Sequence, residues 1–300
     1  MLDRFKGFLL FISLLLSVPF SVFAQQPGED QEILSKVLQH LQAHYFHPLT
    51  SVELQAKSLS ELFSKLDQDT RLEATEPSEL DFARGLKEEK SIARVERFEN
   101  RVGYIQISFL GRRTANDFDK VLNQFTRNGV RNLILDLRGN PGGSLDSGIG
   151  VIEHFIPSGK LLFTFYGQEG VETKELSKRT EIESIKITVL IGPKTASTAE
   201  MMAHALRRYA HALLIGEPTY GKRSVQGVFP VDPFHTLFLT TGYFVLPEDS
   251  QIKLQPDVRV PSRESLQKAL RIITGKEQAF LTLTDASKGK AVKAAAAPQL

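Results

Sequence analysis

The sequence predicts an α/β protein in which a mostly parallel sheet is covered by helices. Between residues 102 and 215, short β-rich runs alternate with longer stretches of helical periodicity, and glycine-containing loops follow several of the runs. Alternation of this kind favours a parallel sheet with ligand sites in the loops at strand carboxyl ends. Composition agrees: 300 residues with 41% hydrophobic and 24% charged residues can bury a sizeable core, as one large domain or two ordinary ones.

The elements follow in order. Arg4 and Lys6 precede an apolar run, Phe8 to Phe20, that ends at Ser21-Val22-Phe23-Ala24. The run is shorter than the roughly 20 residues of a bilayer span, and Val22 and Ala24 suit a cut after Ala24, so residues 1–24 read as a secretory signal. The remainder is then expected to be exported, to the periplasm in a bacterium. Residues 25–100 read as a helical region. Ile33, Val37 and Leu41 recur every fourth position, and Leu54, Leu59, Leu62 and Leu66 mark a second helix beyond His47-Pro48. Such helices offer a surface for self-association.

Residues 101–283 read as the core unit. Val102 to Phe109 is β-rich, Thr114 opens a helix to Arg127, and Asn132 to Leu137 is a strand. A loop leads to a helix from Leu145 to Phe155; strand Lys186 to Ile191, helix Thr198 to Tyr209 and strand Ala212 to Ile215 follow, with a further strand from Thr236 to Val245. Residues 284–300 carry too little large apolar surface to fold alone and read as a disordered tail.

Charge and cysteine exclude whole classes. Thirty-seven Lys and Arg against 35 Asp and Glu leave a net charge of +2, without the basic field that nucleic-acid binding requires. With no cysteine, disulfides, thiolate nucleophiles, Cys-ligated zinc and iron–sulfur clusters are ruled out. Each of the seven histidines reads as surface or core packing, and no cofactor or metal is expected.

Three loops carry residues of chemical interest. The first, Asp136-Leu137-Arg138-Gly139-Asn140-Pro141-Gly142-Gly143, reads as a tight strand-to-helix turn, or as a place where backbone N–H groups face a ligand without Cβ obstruction. Asp136 and Arg138 read as a structural pair. The second, Thr195-Ala196-Ser197-Thr198-Ala199-Glu200, puts Ser197 at a helix mouth, as an N-cap completed by Glu200 or as a nucleophile. In the third, Gly216 to Gln226, Lys222 is a solvated loop charge or a base.

Taken together, these segments resemble the C-terminal processing peptidases, tail-specific serine endopeptidases with a Ser/Lys dyad. That family has Asp-Leu-Arg, Asn and a glycine pair; Ser-Ala-Ser, a small pair and Glu; then Gly-Glu, an aromatic, Gly-Lys, and Gln four positions on. The sequence matches in order and spacing, with Leu66-Asp67 through Thr70-Arg71 resembling the family's Leu-Asp-Pro-His-Ser segment and Leu254 to Val258 its Pro-Asp exit. The resemblance covers roughly residues 30–262 and implies a crotonase/ClpP-like protease core acting on polypeptides through an acyl-enzyme. It implies Ser197 as nucleophile, Lys222 as general base, Gln226 orienting the lysine, and an oxyanion hole of the Gly143 and Thr198 N–H groups, with Gly142 as second choice.

Two departures stand out. A PDZ domain of about 80–100 residues, an ordinary small-domain size, lies in the family between the Leu-Asp segment and the first protease strand; here only Leu72 to Asn100 fills that interval. Arg223 stands where the family commonly has glycine, putting a second cation beside the lysine. The rival reading is a non-hydrolytic binding protein on the same fold.

Overall fold

The computed structural model describes residues 29–74, 90–99, 101–248 and 253–275; the expected signal at 1–24 and tail at 284–300 lie outside them. Helix α1 (Glu29–His44) presents Ile33, Leu34, Val37 and Leu41 as a buried stripe. That stripe packs on Leu237 and Leu239 of the same chain. The second expected helix is instead two short ones, α2 (Ser51–Leu54) and α3 (Leu59–Phe63). The reason is local. Thr50 and Ser58 are extended, and each hydroxyl accepts an N–H of a new first turn, from Val52 and Glu61 respectively, so the chain restarts at Ser58.

The expectation of a helical region to residue 100 is corrected further on. Arg71–Ala74 forms strand β1 and Ile92–Phe98 forms strand β2. β2 pairs antiparallel with β3 (Val102–Ile107), so the main sheet begins well before residue 101. It is an edge strand exposed on both faces, with Arg94 and Glu96 on one and Val95 and Arg97 on the other, which hides the period of two that a half-buried strand shows.

The main sheet has the order β11-β8-β7-β4-β3-β2. Its strands β4 (Asn132–Asp136), β7 (Lys186–Ile191), β8 (Leu213–Gly216) and β11 (Val258–Arg259) run parallel to β3. Leu133 and Leu135 face one core, with Phe118 and Leu122 of α4 (Thr114–Arg127), Val151 and Ile152 of α5 (Leu145–Ile152) and Met202 of α6 (Thr198–Ala210). Ile134 faces the other, with Tyr104, Leu190, Ile215 and Ala269 of α7 (Ser265–Thr274). Burial on both faces is why these strands are continuous apolar runs. Helix α5 stops at Ile152 rather than Phe155, because the chain tightens into a turn, Phe155 N donating to Ile152 O, just before Pro157.

A second, antiparallel sheet is built on β10 (His235–Val245). β10 pairs with β1, with β9 (Ser224–Pro230) and, through its last residues, with β5 (Leu161–Gly167), which carries β6 (Glu172–Leu176). Helix α1 covers this sheet, and no helix among the described residues is long and apolar enough to cross a membrane.

Because β3, β4, β7 and β8 point the same way, the loops that leave them emerge along one edge of the sheet. The packing behind that edge is tested at Phe118, which is fully buried. Phe118→Ala is expected to cost about 3–5 kcal/mol in urea denaturation, whereas Lys120→Ala on the exposed side of the same helix should cost less than about 0.5 kcal/mol.

Candidate active site

The strand-end loops are laced together by backbone and short polar side chains. Leu110, beyond β3, donates to Gly142 O at 2.9 Å and accepts from Ser144 N at 2.6 Å. Buried Asn140 donates from Nδ2 to Ile107 O, and its carbonyl accepts from Ala196 N. Thr195 Oγ1 donates to Leu137 O at 2.7 Å while accepting from Gly192 N. Tyr220 N closes the circuit on Thr195 O at 2.9 Å. Two glycines are required here. A Cβ on Gly143 (φ +132°) would lie 2.2 Å from Leu110 O, and one on Gly142 (φ +101°) would lie 3.0 Å from Ser197 Cβ. Asp136 and Arg138 pair as expected: Tyr104 OH donates to the same carboxylate at 2.6 Å, and Arg138 reaches on to Ser262 O.

Ser197 stands on the turn from β7 into α6 with φ +56° and ψ −126°. A serine so placed is strained by about 1–3 kcal/mol, and its neighbours must impose the conformation. Glu200, fully buried, supplies the constraint. Its Oε2 accepts from Ser197 N and Lys222 N, both at 2.9 Å, and its Oε1 accepts from Thr219 Oγ1 at 2.5 Å and Gly221 N at 2.9 Å. One carboxylate thus joins the serine turn to the lysine loop. Burial pushes that carboxyl up, against the pull of Thr219, Arg223 and the N–H groups. The capping box is therefore made on the Glu200 side alone. Ser197 Oγ is buried and makes no hydrogen bond.

Lys222 is only 8% exposed, which sets aside the solvated loop charge. Its Nζ lies 3.1 Å from Gln226 Oε1 and 3.3 Å from Asp69 Oδ1. Lys222 and Gln226 are thus brought together, while no hydrogen bond joins Lys222 to Ser197 Oγ. Burial lowers the lysine's pKa, with Asp69 opposing the fall and Arg71 aiding it.

Asp69 is the site residue that sequence reasoning passed over. It sits in the turn between α3 and β1, and its Oδ2 accepts from Ser224 Oγ at 2.5 Å. Asp67 builds that turn by accepting from Asp69 N, Thr70 N, Thr70 Oγ1 and Thr240 Oγ1. Burial pushes the Asp67 carboxyl up, but these donors outweigh it and hold the group below the usual carboxylate range. The Asp-x-Asp-Thr spacing marks an Asx turn; nothing local says which loop it meets.

The backbone donors separate cleanly. Gly142 N donates to Asn140 Oδ1 at 2.8 Å, so Gly142 is corrected as a candidate: its N–H is already committed. No hydrogen bond among the described residues engages the N–H of Gly143 or Thr198, and Thr198 Oγ1 ties the two residues by donating to Gly143 O at 3.1 Å. Among the described residues no cluster of His, Asp and Glu is arranged to hold a metal ion.

Comparison with known proteins bears on the same region. Residues 101–260, more than half of the chain, match the model of peptidase family S41. The carboxy-terminal processing protease CtpB of Bacillus subtilis is 30% identical over 151 residues, 50% of this chain and 32% of that protein. CtpA of the same organism is 32% identical over 166 residues, 54% of this chain and 35% of that protein. The matched region spans about a third of the length of these relatives. Among solved structures, a lipoprotein from Streptococcus agalactiae superposes with TM-score 0.63 at 17% identity, covering 85% of this chain and 99% of the other. A putative S41 protease from Bacteroides fragilis gives TM-score 0.55 at 22% identity, over 63% and 59%. At these identities the likeness concerns the fold, which is the expected α/β protease core.

The Glu200 junction yields a stability test. Glu200→Gln keeps the shape but turns an amide NH2 toward two of the four donors, and each buried polar group so opposed costs about 1–3 kcal/mol. A loss of at least about 2 kcal/mol is expected in urea denaturation; a change under a quarter of that would mean that the junction is dispensable.

Proposed function

The chain belongs to peptidase family S41, and from that premise we propose that it is a serine endopeptidase of the C-terminal processing type, cleaving peptide bonds through an acyl-enzyme. The observation that carries this reading is Ser197 itself. Its hydroxyl is buried without a partner at a strained strand-to-helix turn, beside two uncommitted backbone N–H groups and a loop that holds a buried lysine. A buried hydroxyl left unbonded is costly, and a site kept for a substrate accounts for the cost.

In the proposed reaction Ser197 Oγ attacks the scissile carbonyl carbon while neutral Lys222 Nζ takes its proton. The developing oxyanion receives the N–H groups of Gly143 and Thr198. Collapse of the tetrahedral species breaks the C–N bond. Lys222 returns the proton to the leaving amine, and an ester remains on Ser197. Water then attacks that ester by the same route in reverse, and Gln226 keeps the amine oriented throughout. Lys222 must be neutral at rest, and its burial favours that form over an ordinary lysine of pKa about 10.4.

One observation favours the rival, a non-hydrolytic binding protein on the same fold. Lys222 is bonded to Asp69 and Gln226, and not to Ser197. Trapping with a fluorophosphonate, located by mass spectrometry, decides between them. The peptidase reading expects labelling at Ser197; a folded protein that takes no label is the binder. For export we read residues 1–24 as the signal, with a polypeptide as the partner and no nucleic acid or cofactor.

Ser197→Ala is expected to abolish cleavage of an unfolded protein substrate. Lys222→Arg should be as inactive as Lys222→Ala, because guanidinium stays charged. Activity should rise with pH as Lys222 loses its proton, with an apparent pKa below the ordinary lysine value. A near-normal Lys222→Arg enzyme would remove the lysine from the mechanism. The short interval between β1 and β2 yields a second expectation, that substrate choice does not require a free C-terminus. Amidating a good peptide substrate should change kcat/KM only a few-fold, whereas a hundredfold loss, about 2.7 kcal/mol, would reveal a terminus-reading site.

A further inference from the structure

The N-terminal segment enters the site at one point, the Asp69 carboxylate. Lys222 Nζ approaches Asp69 Oδ1 at 3.3 Å, Ser224 Oγ donates to Oδ2, and Gln226 spans the pair, accepting from Lys222 and donating from Nε2 to Asp69 O. Asp69 is held from behind as well. Its N–H donates to Asp67 Oδ1, and Arg71 Nη1 donates to its carbonyl at 3.2 Å. The carboxylate is therefore a fixed anion facing a nearly buried amine, with side-chain exposures of 27% and 7% respectively. An ammonium in that position is bonded away from Ser197 Oγ, which is left unpartnered.

We propose that Asp69 is a positioning residue that holds the charged Lys222 amine away from Ser197 and releases it when the lysine loses its proton. This rests on the peptidase reading. The proton passes from Nζ to solvent water along the partly exposed Asp69 side of the pair. The neutral amine then has no net charge for the carboxylate to hold, and its lone pair is free to accept the Ser197 Oγ–H. The ionisable groups around Nζ are few. From the N-terminal turn come Asp67 and Asp69, which favour the ammonium, and Arg71, which disfavours it. Glu200 of α6 is bonded to the lysine's backbone N–H, Arg223 is its chain neighbour, and the Tyr243 hydroxyl of β10 lies within the field of Asp67 and Asp69. Of these, only Asp69 forms an ion pair with the amine.

Two measurements on the full chain test this. Lysines are converted to 13C-dimethyl-lysine by reductive methylation, and the Lys222 resonance, identified by its absence in Lys222→Arg, is followed through a pH titration. Asp69→Asn should lower its midpoint by at least about one unit, with Asp69→Ala moving it the same way. An unchanged or raised midpoint in both variants overturns the proposal. The rate of fluorophosphonate labelling at Ser197 is then followed against pH. Well below the wild-type midpoint, Asp69→Asn should label at least about tenfold faster, since the neutral fraction changes tenfold per unit. The two rates should converge at high pH. Slower labelling of Asp69→Asn at every pH would make Asp69 a helper of the base, and the latch would be overturned. A shifted midpoint with no labelling of the wild type at any pH would overturn the peptidase reading instead, leaving the ion pair itself established.

Discussion

The Glu200 carboxylate is the constraint on which the site depends. Four donors converge on it from the turn before α6 and the loop after β8, and Thr219, one of the four, also accepts from Leu254 N. An amide could not replace it, since it has one acceptor oxygen where the junction needs two. Charge-assisted bonds of this kind are stronger than neutral ones, which offsets the penalty of burying the anion. The balance buys a serine fixed in a conformation that it would not adopt in a free chain.

Around that junction the parallel sheet does the positioning. Strands β3, β4, β7 and β8 deliver their loops to one edge, where Leu110, Asn140 and Thr195 bond the loops to each other and to neighbouring strand ends. The two glycines follow from this closeness. Gly143 admits the Leu110 backbone, and Gly142 admits Ser197. The same crowding leaves Gly143 N and Thr198 N uncommitted while Gly142 N turns inward to Asn140. For the proposed oxyanion hole, N–H groups held in this way are preorganised.

The second sheet couples this edge to the N-terminal helices. Thr240 of β10 donates from Oγ1 to Asp67 and from its N–H to the Thr70 hydroxyl oxygen, while Tyr45, just beyond α1, accepts from Asp67 N. Tyr45, Asp67, Asp69 and Lys222 thus form a chain of bonded groups from the end of α1 to the lysine.

Much of this was legible in the chain. The βα alternation placed α4, β4, β7 and α6 within a residue or two, because periodicity and capping act over one or two turns. The three loops could be picked out by their residue types, and their resemblance to a peptidase family named Ser197, Lys222 and Gln226 together. The rest was decided by tertiary structure. β1 and β2 were hidden in a stretch that reads as helical: the strand character of β1 comes from a partner distant in the sequence, β10, and β2, though paired with neighbouring β3, is an exposed edge strand without clean alternation. Asp69 looked like one more turn residue, because its role depends on meeting a loop more than 150 residues away. Gly142 and Gly143 are equivalent as letters, yet one N–H is committed and the other open, a difference set by the position of Asn140. Local sequence carries propensity and pattern; which donor faces which acceptor is settled only when the sheet brings its loops to one edge.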